Sequence, residues 1–289
     1  MSSIIPVNRE CNMNCIYCSA SRNEADLPVK VKKKIEAERD QIVFTGGEPL
    51  LCRELPEYIR LAGKQGIKEI ELQSNGSLFY RMKTAKSFAG LGISIFNISI
   101  PSHLESIHDR ITNTSGLLEK RLLGVKNLLD CGANVRITHV ICSLNQQSLF
   151  DFARFVHQRF SGIGLLEFNT VKLRGNCLQQ KWLVPDLNKM DGELLKAVKY
   201  CERNKLRVLV DGVPLCHLKG IESHSIELIK LCNNKTQRLH AQKEKAKQCE
   251  GCSLNGLCRG FRKGYLEILG PSQVKPSNLN PEKLKGVLV

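Results

Sequence analysis

A chain of 289 residues with 42% hydrophobic and 25% charged side chains has the composition of a soluble globular protein, with enough material for a full core and one appended module. No apolar run is long enough to cross a bilayer. The N-terminus, Met-Ser-Ser-Ile-Ile-Pro, lacks the basic and apolar stretches of a secretory signal, so a cytoplasmic location and no membrane partner are expected. A net charge of +15 favours an anionic partner, such as a phosphate-bearing metabolite, an acidic peptide or RNA, while only 6% aromatic residues argues against a dedicated single-strand RNA binder. Thirteen cysteines in such a protein point to metal ligands plus ordinary buried thiols.

The first predicted strand, 3–8, runs into Cys11, Cys15 and Cys18, a C-x₃-C-x₂-C loop. Soft thiolates select soft metal centres. Three of them leave one iron of a [4Fe–4S] cube open to a small molecule; a zinc site completed by a fourth ligand and plain buried thiols are the alternatives. A second predicted strand, 41–44, ends in Thr45, Gly46, Gly47, Glu48 and Pro49. Paired glycines permit close backbone approach to a ligand, a carboxylate beside them complements a cationic amine, and proline fixes the exit. Further strands are predicted at 68–73, 93–100, 133–141 and 163–172. They alternate with helices at 53–65, 80–91, 117–131, 146–159 and 187–205, and a short extra turn is placed at 103–109. Such alternation implies parallel strands joined by right-handed crossovers. Gly92, Gly132 and Gly162 read as terminators, and the stripe Leu149, Phe152, Phe155 and Val156 as core.

Beyond a strand at 206–211, Cys249, Cys252 and Cys258 form a second module, C-x₂-C-x₅-C. One more ligand must close it. Cys216 follows turn residues at a strand exit, whereas Cys232 sits in an apolar run where its thiol is expected to be buried. A zinc knot is the alternative to iron–sulfur here. Cys52, Cys131, Cys142, Cys177 and Cys201 read mostly as small buried hydrophobes. Cys142 and Cys177 lie past strand ends. His139 reads as packed, His103 and His108 as shaping the loop and helix near 103–109, and Arg174 as either an anion contact or plain surface. Basic residues cluster at Lys30, Lys32, Lys33 and Lys34. They cluster again across 235–263, where they include Lys235 and Arg238. The tail from Gly270 is expected to be irregular.

The cysteine loop and the Gly-Gly-Glu-Pro turn together resemble the radical S-adenosylmethionine (SAM) enzymes, and the likeness continues along the chain. Ser74-Asn75-Gly76 resembles the Thr-Asn-Gly ending of the family's third strand. Ser99 resembles the serine near the cofactor ribose, with Pro101 where an aspartate is usual, and Asn145 resembles the loop asparagine after the fifth strand. The resemblance implies a (β/α)6 partial TIM barrel over residues 1–205 and a twitch/SPASM-like auxiliary-cluster domain over 206–289. It implies two [4Fe–4S] clusters, one binding S-adenosyl-L-methionine through Cys11, Cys15 and Cys18 and one auxiliary on Cys216, Cys249, Cys252 and Cys258, with Cys232 as the runner-up. Arg262 stands where the longer, two-cluster extension carries another cysteine. Cofactor contacts are implied at Tyr17, Gly46, Gly47, Glu48, Pro49, Ser74, Asn75 and Ser99. The implied partners are a flavodoxin- or ferredoxin-type electron donor and a peptide or small-molecule substrate. The implied reaction is hydrogen abstraction from a peptide or natural-product precursor. An RNA- or nucleotide-modifying enzyme and a non-catalytic iron–sulfur or zinc protein stand as alternatives.

Overall fold

The computed structural model describes residues 2–20, 28–233 and 242–285. Lys235 and Arg238 lie outside the described residues. The fold is α/β, with seven strands in one sheet ordered as in the chain. The strands are β1 (Ser2–Pro6), β2 (Gln41–Thr45), β3 (Glu69–Ser74), β4 (Ile95–Ser99), β5 (Val135–Ile141), β6 (Leu165–Thr170) and β7 (Val208–Asp211). The helices between them are α1 (Pro28–Ala37), α2 (Leu55–Lys64), α3 (Met82–Ala89), α4 (Glu105–Thr112), α5 (Leu118–Asp130), α6 (Leu149–Arg159) and α7 (Leu187–Arg203). The six-unit reading thus becomes seven strands, because β7 pairs in parallel register with β6, Leu166 opposite Val208. Residues 105–112 form a complete helix rather than a short turn.

The chain divides into two compact units. One comprises residues 1–139, 158–165 and 174–176; the other comprises 140–157, 166–173 and 177–289. These cuts fall elsewhere than the 205/206 boundary read from the sequence.

In the first unit the strands are short and nearly continuously apolar, as parallel strands covered on both faces must be. Ile42, Val43 and Phe44 of β2 are buried, and so are Ile95, Phe96 and Ile98 of β4. The helices present one stripe to them: Leu55, Tyr58, Ile59 and Ala62 on α2, and Leu118, Leu122, Val125 and Leu128 on α5. Each fully buried side chain of this size contributes roughly 1.5–3 kcal/mol before entropy is counted. Gly132 follows the C-cap of α5 with φ of 73°, as a terminator does, whereas α3 is capped by Gly90 and Gly92 (φ 83°) turns the chain two residues later. Beside the apolar layer, Asn97 Nδ2 donates to Glu71 Oε1 (2.9 Å) and Thr138 Oγ1 donates to Asn97 Oδ1 (2.7 Å), a polar rung across β3, β4 and β5.

In the second unit Asp186 caps α7 by accepting from the amides of Asn188 (3.1 Å) and Lys189 (3.4 Å). After β7 come α8 (Ile226–Cys232), a two-stranded antiparallel ribbon β8 (Lys243–Glu244) and β9 (Phe261–Arg262), and the short helices α9 (Tyr265–Leu269) and α10 (Glu282–Lys285). Arg262 ties this segment to the sheet: Nε donates to Thr170 Oγ1 (2.8 Å) and Nη2 to Asn169 Oδ1 (2.5 Å) and Asp211 Oδ2 (3.0 Å). Gly212 lies so close beneath it that a Cβ there would stand 2.2 Å from Nη2. Tyr265 adds a bond from its hydroxyl to the Val171 carbonyl (2.6 Å). Residues 274–281 are irregular chain, as expected from the tail composition.

Candidate cofactor site

The Cys11–Cys18 loop leaves β1 and is held by backbone bonds on several sides. Asn14 N donates to Thr112 O (3.2 Å) and Ile16 N to Ile111 O (2.9 Å), which seats the loop on the end of α4. Asn176 donates its amide to Cys18 O (2.9 Å) and its Nδ2 to Cys15 O (2.9 Å). The Gly-Gly-Glu-Pro turn runs directly against the start of the loop: Gly47 N donates to Asn8 O (3.1 Å) and Glu48 N to Glu10 O (2.6 Å). A Cβ on Gly47 would stand 2.0 Å from the Glu10 carbonyl oxygen, so glycine is required by the approach itself.

Glu48 is 1% exposed. Its carboxylate accepts three hydrogen bonds, from Ser74 Oγ (2.8 Å), Asn75 N (2.8 Å) and Leu50 N (3.2 Å), all from neutral donors. Burial nevertheless wins over those donors and raises its pKa above the usual carboxylate range. A buried carboxylate held only by neutral donors suits a cationic amine. Ser74 and Asn75 therefore both meet Glu48. Asn75 Nδ2 also donates to Asn12 Oδ1 (2.8 Å) inside the cysteine loop. Tyr17 is buried next to Cys18, and Ser99 closes β4 with its carbonyl turned to Arg121.

Cys11, Cys15 and Cys18 are close enough to influence one another electrostatically. Burial pushes the Cys15 thiol up to about 12, opposed chiefly by the Arg121 charge. Three such donors on one loop beside a buried carboxylate fit a thiolate-bound cluster with a bound amino acid group.

In the second unit Cys216, Cys249, Cys252 and Cys258 line a single cavity with Leu254 and Phe261. Burial raises Cys216 to about 12, and the other three thiols add to the rise. Backbone amides point at the sulfurs: Gly260 N donates to Cys258 Sγ (3.3 Å) and Ser277 N to Cys252 Sγ (3.2 Å), contacts that favour thiolate. Neighbouring His217 has both ring nitrogens engaged, Nδ1 with Asp191 Oδ1 (2.8 Å) and Nε2 with Gln273 O (2.5 Å), so it is no competitor as a ligand. Cys232 does not line the cavity. It is the last residue of α8, next to the C-cap Asn233, and is exposed rather than buried. Cys142, Cys177 and Cys201 are buried as expected, but Cys52 and Cys131 are only half-buried, since both sit at element ends. His139 is packed, with Nδ1 facing Ile100 O (3.1 Å). Arg174 is exposed. Among the described residues, no three His, Cys, Asp or Glu side chains are grouped as for a single metal ion.

Comparison with known proteins matches residues 5–158, more than half of the chain, to the Radical SAM superfamily. The chain belongs to this superfamily. It is therefore an enzyme that uses S-adenosylmethionine and a [4Fe–4S] cluster. A curated relative, "Probable GTP 3',8-cyclase" of Methanococcus aeolicus, is 28% identical over 238 residues, covering 76% of this chain and 76% of its own. Two solved structures share the fold. Native anSMEcpe with bound AdoMet matches at TM-score 0.59 and 16% identity, over 88% of this chain and 69% of its own. Streptococcus suis SuiB bound to precursor peptide SuiA matches at TM-score 0.59 and 14% identity, over 73% of this chain and 48% of its own, so the chain spans about half the length of SuiB.

Missing from the sequence reading is Arg121, 2% exposed and hydrogen-bonded to Asn75, Ser99 and His108. A signal existed. Arg121 falls between Leu118 and Leu122 on the apolar stripe of α5, where a solvated arginine does not belong.

Proposed function

We propose that this enzyme abstracts hydrogen from an anionic, nucleotide-type small molecule and carries one auxiliary [4Fe–4S] cluster on Cys216, Cys249, Cys252 and Cys258. The observation that carries the cofactor reading is the meeting of the cysteine loop with Glu48, Ser74 and Asn75. When bound, the first cluster and S-adenosylmethionine supply a 5′-deoxyadenosyl radical that takes a hydrogen atom from substrate carbon. The chain's own residues bind and orient. Glu48 receives the methionine ammonium group, Ser74 and Asn75 fix the carboxylate, Gly46, Gly47 and Pro49 shape the turn, and Tyr17 and Ser99 border the nucleoside part. A flavodoxin- or ferredoxin-type protein is the electron donor.

Four thiols are a full ligand set for four irons. With Cys216, Cys249, Cys252 and Cys258 all used to hold it, an auxiliary cluster there would supply electron transfer rather than a site for substrate. On this reading the segment from residue 206 is the auxiliary-cluster module.

Two observations support the substrate class. The net charge of +15 complements phosphate. The sequence relative is named for a nucleotide reaction. The peptide reading of the sequence is an analogy with relatives of the implied architecture, and the likeness to SuiB bound to precursor peptide SuiA, at 14% identity, speaks to the fold alone. The test is anaerobic turnover with a reductant: 5′-deoxyadenosine formation should rise when a nucleoside triphosphate mixture is added and stay at its basal level with acidic peptides. The opposite result sinks the substrate class. Iron analysis should find about eight irons per chain, the sum of two cubanes; about four irons and one zinc would make the second site a zinc knot.

A further inference from the structure

Arg121 is a cation held almost wholly out of water, and its three hydrogen-bond partners are all neutral. Nε donates to Asn75 O (2.8 Å), Nη2 to Ser99 O, and Nη1 faces His108 Nε2 (2.8 Å). An arginine donates only. His108 must therefore accept at Nε2, be neutral, and carry its proton on Nδ1, where Asp109 Oδ1 receives it (2.7 Å). Asp109 in turn accepts from Gly116 N through Oδ2 (3.2 Å). The guanidinium is thus fixed from α4 and α5 at once, and it joins the carbonyl ends of β3 and β4.

A buried charge without an ionic partner is costly, and two carbonyl bonds alone do not need one. The anions that could offset it are those gathered in front of it. The groups that can act on its charge are the Glu48 carboxylate and the Cys15 and Cys11 thiols. Cys15 and Cys11 become thiolates when they hold a metal centre. Asn75, whose carbonyl Arg121 grips, offers its own N–H to Glu48 (2.8 Å). One side chain therefore meets the cysteine loop by charge and the ammonium-binding carboxylate by geometry.

We propose that Arg121 is a positioning residue of this site, setting Asn75 and Ser99 at the cofactor-binding strand ends, and that its buried charge makes the cluster on Cys11, Cys15 and Cys18 easier to reduce. This rests on the cofactor reading given above. A reduced cluster carries one more negative charge than an oxidised one. A fixed cation nearby in a low-dielectric interior favours the reduced form and moves the midpoint potential in the positive direction.

The experiment uses the full chain, reconstituted anaerobically, with Arg121→Lys and Arg121→Gln. The readouts are iron per chain, the dissociation constant for S-adenosylmethionine before reduction, and a redox titration followed by electron paramagnetic resonance. The titration follows the part of the signal that S-adenosylmethionine alters, which singles out the first cluster. Arg121→Lys keeps the charge and loses the fork. It is expected to retain the wild-type midpoint while binding S-adenosylmethionine about tenfold more weakly, the effect of about one charged hydrogen bond. Arg121→Gln loses the charge and is expected to show a more negative midpoint at unchanged iron. An unchanged midpoint in Arg121→Gln overturns the assignment, and so does a lysine variant whose midpoint shifts as far as the glutamine variant's. Should Arg121→Gln lose its iron, Arg121→Lys decides alone: iron restored with a midpoint away from wild type overturns the assignment. A wild-type protein with no signal that responds to S-adenosylmethionine refutes the cofactor reading instead.

Discussion

Replacing Glu48 by glutamine keeps the shape of the side chain and removes one buried negative charge. The carboxylate takes Ser74 Oγ and Leu50 N on Oε1 and Asn75 N on Oε2. A glutamine whose oxygen stays on the first pair turns its NH₂ toward the Asn75 N–H and orphans that donor, at a cost of about 1–3 kcal/mol. Losing a charge whose burial outweighs its hydrogen bonds offsets part of this, so the fold should survive. The ligand has no such compensation. A charge-assisted bond to an ammonium is about twice as strong as a neutral one, a difference near 1–2 kcal/mol, or about 5- to 30-fold in dissociation constant. Equilibrium dialysis with S-adenosylmethionine on the unreduced, iron-matched proteins measures it. The pH dependence gives an independent check. Because burial raises the Glu48 pKa, wild-type affinity should fall as pH drops through that raised value and the carboxylate is neutralised, and Glu48→Gln should lack this fall. An unchanged dissociation constant at equal iron, or the same pH dependence in the variant, would refute the role given to Glu48.

Cys216→Ala should cost the chain its auxiliary iron while Cys232→Ala leaves it intact, read by iron content and electron paramagnetic resonance; the reverse pattern would move the fourth ligand to α8. Gly47→Ala forces a Cβ to within 2.0 Å of the Glu10 carbonyl, so the backbone before Cys11 must shift. Loss of iron from the first cluster is expected, with a stability cost of at least about 1–3 kcal/mol from overpacking. His139, buried against Ile100 O, has its pKa lowered to about 3 by burial. The unfolded chain therefore takes up this proton first as pH falls below about 6.5, and stability drops, by about 2 kcal/mol at pH 5 relative to neutral pH. His139→Gln should remove that part of the acid sensitivity in anaerobic urea unfolding at the two pH values; a variant as acid-sensitive as wild type would show that the ring is not responsible.

Local chemistry made the cysteine loop, the Gly-Gly-Glu-Pro turn and the C-terminal cysteine module legible from the residues alone. Spacing sets how many soft donors a short loop presents, and glycine marks where backbone must approach backbone, as Gly47 does to Glu10. The strands and long helices were legible too, because their apolar periodicity is a local property. Helix α1 was not. Only Val31 and Ile35 of its ten residues are buried, and the lysine run around them hides so short a stripe. Cys216 was favoured by its turn context, yet only folding brings it to a cavity with Cys249, Cys252 and Cys258 while leaving Cys232 exposed on its helix. Arg121 depends most on tertiary structure. Its partners Asn75, Ser99 and His108 lie on three other segments of the chain. Its place on the apolar stripe of α5 marks it as out of the ordinary, but which groups hold its charge depends on what those segments place around it, and no local pattern encodes that.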